Sequence, residues 1–205
     1  MHHRSLWLAG VVSLTLASGA AMGAAMFRVP APPATQALAR YGEVPQFSLI
    51  NHQGRSVTRE TFQGRVWIAD FIFTSCAGQC PLMSEQLRAL QRTFATEAGL
   101  RFVSFSVDPA HDTPEALSVY ALRYGADPRW TLLTGTREAL YRLCHDGFQL
   151  AIGEDPTSTR EPIIHSVRLV LIDQRGTIRG YYDATNAQAT ARLRQDVRRL
   201  LRHDG

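Results

Sequence analysis

The run VWIADFIF, residues 66–73, reads as one continuous apolar strand, and it limits the fold more than any other feature of the chain. A strand with one face in water alternates polar and apolar side chains. A strand that does not alternate is buried on both faces and needs cover above and below its sheet. The segments that follow supply this cover in alternation. LRFVSFSV (100–107) is a second strand, and DTPEALSVYALRYG (112–125) is a helix with Asp112 or Thr113 as its cap, Pro114 in its first turn and Gly125 at its end. WTLLTG (130–135) is a short strand and TREALYRLCHDGF (136–148) a helix. HSVRLVLIDQRGTIRGYYD (165–183) is a strand, a turn and a strand, and AQATARLRQDVRRLLRHDG (187–205) is a closing helix whose buried stripe is Leu193, Val197, Leu200 and Leu201. Upstream, QFSLINHQGRSVT (46–58) has two small runs about Asn51–Gly54, the pattern of a β-hairpin. The order predicts an α/β fold with a central sheet flanked by helices.

FIFTSCAGQCPLMSEQL (71–87) puts Cys76 in the loop that leaves the buried strand and Cys80 at the mouth of a helix beginning at Pro81, with Leu82, Leu87, Leu90 and Phe94 on one face. Proline suits the first helical turn because its missing N–H would have no partner there. A helix start offers unpaired N–H groups and a positive dipole end, which favour thiolate, the form that binds metals and attacks disulfides. The carboxyl end of a strand is where sites form in such sheets. A structural cross-link is a poor use of the pair, since so small a loop restricts little of the unfolded chain. The third cysteine, Cys144, falls in an amphipathic helix and reads as a small buried residue.

A redox pair needs no further ligand, whereas a soft metal on two sulfurs commonly takes a neutral nitrogen as well. Among the seven histidines, His2, His3 and His203 lie near the chain ends, His52 is in the hairpin turn, and His111 and His145 sit in loop or helix-end segments. His165 opens a strand expected beside the cysteine-bearing one. A hydrogen-bonded histidine at a strand end is the plainer reading of its position.

Leu6–Phe27 is an uncharged run of about 22 residues, the length of a membrane-crossing helix. Without a strict A-x-A site it favours an uncleaved anchor over a cleaved export signal. The resulting division is a membrane anchor or signal segment over 1–28, a Pro/Ala-rich, poorly packed linker over 29–44 and the folded domain over 45–205. The charge flanking the run favours a domain outside the cytoplasm, on the periplasmic or exterior side of the inner membrane. The net charge of +4 rests on arginine alone, since the chain has no lysine, and its dispersal argues against nucleic acid. An arginine-rich face at Arg192, Arg194, Arg198, Arg199 and Arg202 reads as a solvated helix face, with anionic lipid or an acidic domain as the alternative.

Cys-x-x-x-Cys-Pro after an apolar strand, then SFSVDPAHDTPEAL (104–117), then a His-Ser opening a strand that ends in LIDQRGTIRGYYD (171–183), resembles the Sco/SenC family over roughly Pro45–Leu201. The resemblance implies a thioredoxin-like fold with an N-terminal β-hairpin extension. It also implies copper, as Cu(I) and in addition Cu(II), bound by Cys76, Cys80 and His165. The implied role is metallochaperone for the binuclear copper centre of cytochrome c oxidase, with a copper-accepting oxidase subunit or another copper chaperone as partner. Ile164 stands where family members often carry an acid before the histidine, and Ala77-Gly78-Gln79 separates the cysteines, so the site has less local negative charge with which to retain Cu(II). Asp108 and Asp112 match the family's DP…DTP segment. The alternatives are a thiol-disulfide oxidoreductase using Cys76 and Cys80 on client cysteines, and a peroxide-reducing or redox-sensing thiol protein.

Overall fold

In the computed structural model the described residues are 37–154 and 163–202. Strand β3 (Val66–Ile72) is buried at every position, as its unbroken apolar run requires. It pairs in parallel with β4 (Leu100–Ser106), in register from Val66↔Leu100 to Ile72↔Ser106, and β4 pairs in parallel with β5 (Trp130–Thr134). On its other side β3 pairs antiparallel with β8 (Arg168–Ile172), which turns through Asp173–Thr177 into β9 (Ile178–Asp183).

The hairpin of β1 (Ser48–Asn51) and β2 (Ser56–Thr58) docks on β5 through β1. Its turn is made by Asn51, whose Oδ1 accepts the N–H groups of Gln53 (3.0 Å) and Arg55 (2.8 Å), and by Gly54 at a φ of 74°. The sheet therefore has seven strands in the order β2-β1-β5-β4-β3-β8-β9, with the cysteine-bearing strand in its interior. On one side of the sheet, Phe71 stacks on Phe105 at 5.2 Å between ring centroids while Phe148 packs edge-on to Phe71 and Trp67.

The helices are α1 (Gln79–Thr93), α2 (Pro114–Tyr124), α3 (Arg137–Arg142) and α4 (Ala187–Arg202). In α4 the stripe Leu193, Val197 and Leu200 is buried and Leu201 packs against it, half-buried. Helix α3 is shorter than its sequence suggests, because Leu143–Gly147 continues it as a single wide π-type turn. Helix α1 starts at Gln79, two residues before Pro81. A proline is tolerated throughout the first turn, where no N–H has an intrahelical partner, so it does not fix the first residue. The face of α1 also differs from expectation: Cys80, Met83, Leu87 and Leu90 are buried, and Leu82 is exposed.

Leu38–Val44, expected as the end of a poorly packed linker, runs along β9. The Tyr41 N–H donates to Ile178 O, Glu43 bridges to Thr177, and Arg179 donates to the carbonyls of Leu38 and Ala39 while pairing with Asp173 at 2.8 Å. The compact unit accordingly begins at Leu38. The strand expected to start at His165 is broken. Residues Ile163–His165 form β7, paired with β6 (Ile152–Glu154) in a separate two-stranded ribbon. Pairing between β8 and β9 ends at Arg168↔Asp183, with one further bond from the Ala184 N–H to Val167 O, and the chain before it takes β6 instead. Among the described residues no helix is long and apolar enough to cross a membrane, and Leu6–Phe27 lies outside them.

Candidate metal centre

Cys76 follows β3 at the carboxyl end of the parallel strands, and Cys80 sits in the first turn of α1. Residue 78, the N-cap of α1, is a glycine and offers no side-chain oxygen to the helix start. The sulfur of Cys76 takes that place: the Cys80 N–H donates to Cys76 Sγ at 3.4 Å, and Cys76 is itself held by its N–H on Phe73 O at 3.2 Å. Neither cysteine is in a disulfide, nor is Cys144. Cys76 keeps 8% of its surface exposed and Cys80 none, so an incoming reagent or metal meets Cys76 first.

The two sulfurs are chemically unequal. A hydrogen bond to Cys76, then burial, and then the negative charges of Cys76 and Asp70 push the Cys80 thiol far up, against a smaller opposing pull from the Phe73 backbone. The Cys76 sulfur, for its part, faces the start of α1 and the Cys80 backbone N–H. Cys80 keeps its proton until something displaces it.

The loop carrying Cys76 is held from behind. Asp112 is fully buried and accepts the Thr74 N–H at 3.1 Å, the Thr74 hydroxyl at 2.6 Å and the Ser106 hydroxyl at 2.6 Å. The helix cap is Thr113, whose hydroxyl accepts the Ala116 N–H at 3.3 Å. Asp112 thus ties the start of α2 and the end of β4 to the segment two residues before Cys76. Burial raises its pKa above the carboxylate norm, with the hydrogen bonds from Ser106 and Thr74 opposing. Asp108 joins this knot through its backbone, its N–H donating to Ser106 Oγ at 3.0 Å and its carbonyl accepting the Asp112 N–H at 2.8 Å, while its carboxylate contacts the exposed His111 at 2.8 Å. Behind Cys80, Ser84 and Tyr120 share a buried hydrogen bond of 2.7 Å, and Asp70 lies fully buried on β3 with its charge felt by both Cys80 and Tyr120. Sequence reasoning missed Asp70, although an acid inside an apolar strand was a readable signal.

His165 is fixed at the backbone by pairing with Ile152. Because β8 runs antiparallel to β3, the residues that precede Arg168 come to the same end of the sheet as the loop that follows β3. The His165 side chain lies outside the described part of the structure. Among the described residues no three His, Cys, Asp or Glu side chains cluster to hold a metal ion. Cys144 is fully buried, contacts Leu150 O at 3.9 Å, and has its thiol pushed up to about 12 by burial, so it takes no part in the site.

What the described residues offer is a preformed pair of soft donors, with the protonated form of Cys80 favoured by its surroundings. Such a pair suits Cu(I), and it is also competent for thiol-disulfide exchange.

The SCO1/SenC family profile matches residues 35–202. A SCO1 protein homolog of Bacillus subtilis is 34% identical over 139 residues, covering 66% of this chain and 71% of its own. A Stutzerimonas stutzeri protein named for copper binding is 32% identical over 149 residues, 72% of each chain. Two solved structures superpose closely. A SCO1/SenC family lipoprotein from Bacillus anthracis is 31% identical with a TM-score of 0.72, over 78% of this chain and 95% of its own. BsSco, described with a disulfide switch as a member of the Sco family of cytochrome c oxidase assembly proteins, is 30% identical with a TM-score of 0.71, over 82% and 99%. These matches make the fold thioredoxin-like, with the β1–β2 hairpin as its N-terminal extension.

Proposed function

The chain belongs to the SCO1/SenC family, and from that premise we propose that it is a membrane-tethered copper chaperone. In this reading it binds copper through Cys76, Cys80 and His165 and passes the metal toward the binuclear copper centre of cytochrome c oxidase, directly to an oxidase subunit or through another copper chaperone. The observation that carries the reading is the Cys76/Cys80 pair, not bridged by a disulfide and joined by an N–H···S hydrogen bond at a helix start. It supplies two soft donors at the mouth of the fold before any metal arrives. The naming of relatives for copper binding and for cytochrome c oxidase assembly supports the cargo and the client. The lipoprotein relative supports attachment to a membrane, here through residues 1–28, with the domain on the periplasmic or exterior side.

Copper is cargo. Cys76 meets the ion, Cys80 gives up its proton to it, and His165 adds a neutral nitrogen. A client's thiolates or thioethers then displace these donors one at a time. The disulfide switch described for BsSco keeps a redox role for the same pair in view.

The test is titration of the reduced chain, its His165→Ala variant and its Cys76→Ala/Cys80→Ala double variant with Cu(I) and Cu(II), followed by sulfur-to-copper charge-transfer absorption. Wild type takes up one ion, the double variant none. His165→Ala keeps Cu(I) more weakly and loses Cu(II), since two thiolates alone reduce Cu(II) rather than hold it. Wild-type binding of both ions by His165→Ala removes the histidine from the site. A reduced chain that takes up no copper, yet cycles its disulfide readily, makes the protein a thiol-disulfide oxidoreductase instead.

A further inference from the structure

The end of the domain opposite the cysteine loop is built around one short segment, 94–99, on which arginines converge from four elements. Arg65, just before β3, and Arg101 of β4 both donate to the carbonyl of Ala98, at 3.2 and 2.7 Å. Arg129, before β5, donates to the carbonyls of Gln91 and Phe94, and Arg198 of α4 lies over the Phe94 ring at 5.5 Å. The last turn of α4 reaches the same end, because Gln174 links Leu200 O (3.2 Å) to the N–H of Gly64 (2.9 Å), the neighbour of Arg65.

These contacts cap the carbonyl end of α1, but they do not neutralise the charge. Of these four arginines, Arg129 alone has a carboxylate partner among the described residues, Asp127, at 2.6 Å. On α4, Arg192 and Arg199 reach Asp196 at 3.7 and 3.4 Å. Among the described residues Arg65, Arg101, Arg194, Arg198 and Arg202 form no ion pair, and the acid left in the segment they surround is Glu97. Burial, and then the charges of Arg65 and Arg129, disfavour the charge of Arg101, with Asp127 opposing them.

We propose that this arginine pole rests on anionic phospholipid headgroups and so turns the cysteine loop away from the membrane. The inference relies on the tether put forward above. Between the apolar run, which ends at Phe27, and Leu38, where the compact unit begins, lie ten residues, at most about 35 Å of extended chain. The domain is thereby confined near the bilayer surface, where weak attractions act at high effective concentration. Guanidinium forks match phosphate oxygens two at a time. Strand β3 leads from this pole to the cysteine loop, so docking would hold the site roughly 23 Å above the headgroups, the length of seven strand residues.

The test uses the full-length chain reconstituted into vesicles of phosphatidylcholine alone or with phosphatidylglycerol. Vesicles are recovered by flotation, and trace modification with an arginine-specific dicarbonyl is read by peptide mass spectrometry. Anionic vesicles are expected to slow modification of Arg65, Arg194, Arg198 and Arg202 about fivefold, the factor supplied by the surface attraction of a single arginine. Arg137, at the cysteine end, keeps its rate, and high salt abolishes the difference. Arg198→Gln/Arg202→Gln should remove most of the slowing at Arg65 and Arg194. Equal rates in the two vesicle types, with the chain floating in both, overturn the proposal and leave the tether standing. Slowing in neutral vesicles as well overturns the electrostatic basis. A chain that floats with neither overturns the tether, and this inference with it.

Discussion

Asp112→Ala tests whether the cysteine loop is held from behind or merely by the two elements that flank it. The carboxylate accepts from the Thr74 N–H at 3.1 Å, the Thr74 hydroxyl at 2.6 Å and the Ser106 hydroxyl at 2.6 Å, in a site with no exposure to water. Hydrogen bonds to a charged group are worth about 1.5–3 kcal/mol each, and removing one partner leaves the other buried and unsatisfied. Three such bonds on one group are not additive, and burial of the charge offsets part of them, as the raised carboxyl pKa shows. The net loss for Asp112→Ala should be about 4 kcal/mol, a large share of the ~5–15 kcal/mol that holds a domain together. Asp112→Asn keeps one acceptor oxygen and removes the cost of a buried charge, so it should lose about 1–2 kcal/mol. Urea unfolding of the reduced chain, followed by far-ultraviolet circular dichroism with the slope compared between variants, measures both. Because Thr74 precedes Cys76 by two residues, Asp112→Ala should also release Cu(I) faster to a competing chelator. A loss below about 1 kcal/mol for Asp112→Ala would refute the clamp, and Asn and Ala variants of equal stability would refute the assignment of its strength to hydrogen bonds.

Cys144→Ala should leave copper stoichiometry unchanged, and in the native state Cys144 should react with iodoacetamide far more slowly than Cys76, because its thiol is fully buried and raised to about 12; peptide mapping after alkylation reads this directly. His52 makes the hairpin pH-sensitive: its Nδ1 accepts the Leu132 N–H at 3.2 Å, and burial holds its folded pKa below 6.5, against a smaller opposing effect of the Leu132 backbone. Its contribution is therefore complete above pH 6.5 and is lost as pH falls through the lower folded value, so urea midpoints should drop between pH 7.5 and 5 and His52→Gln should flatten that slope.

The sheet was legible because its signal is local. A run that does not alternate is buried on both faces, and Val66–Ile72 is, Asp70 included. The pair Cys76/Cys80 was legible for the same reason, since strand, loop and helix start follow one another in sequence. The rest depended on contacts distant along the chain. Asp112 stands beside Thr113, and either can cap a helix; Thr113 takes the cap, and Asp112 turns inward to Thr74, 38 residues away, with nothing nearby to announce it. The run opening at His165 reads as one strand by propensity, yet it breaks before Arg168, where the ladder with β9 ends, and His165 pairs with β6 instead. Met83 lies four residues before Leu87 and shares its face, whereas Leu82 lies five before it and turns outward, so the period of the helix settles which of the two is buried.

In the proposed copper site the surroundings of Cys80 bear on how an ion is loaded. The hydrogen bond to Cys76, and then burial, favour the protonated form of Cys80, so Cu(I) has to displace a proton there before both sulfurs hold it. Cu(II) would bring one more positive charge to the same donors, and the intervening residues, Ala77, Gly78 and Gln79, bring no carboxylate to meet it. The proposed site therefore favours the monovalent ion through its local charge as well as through the softness of sulfur.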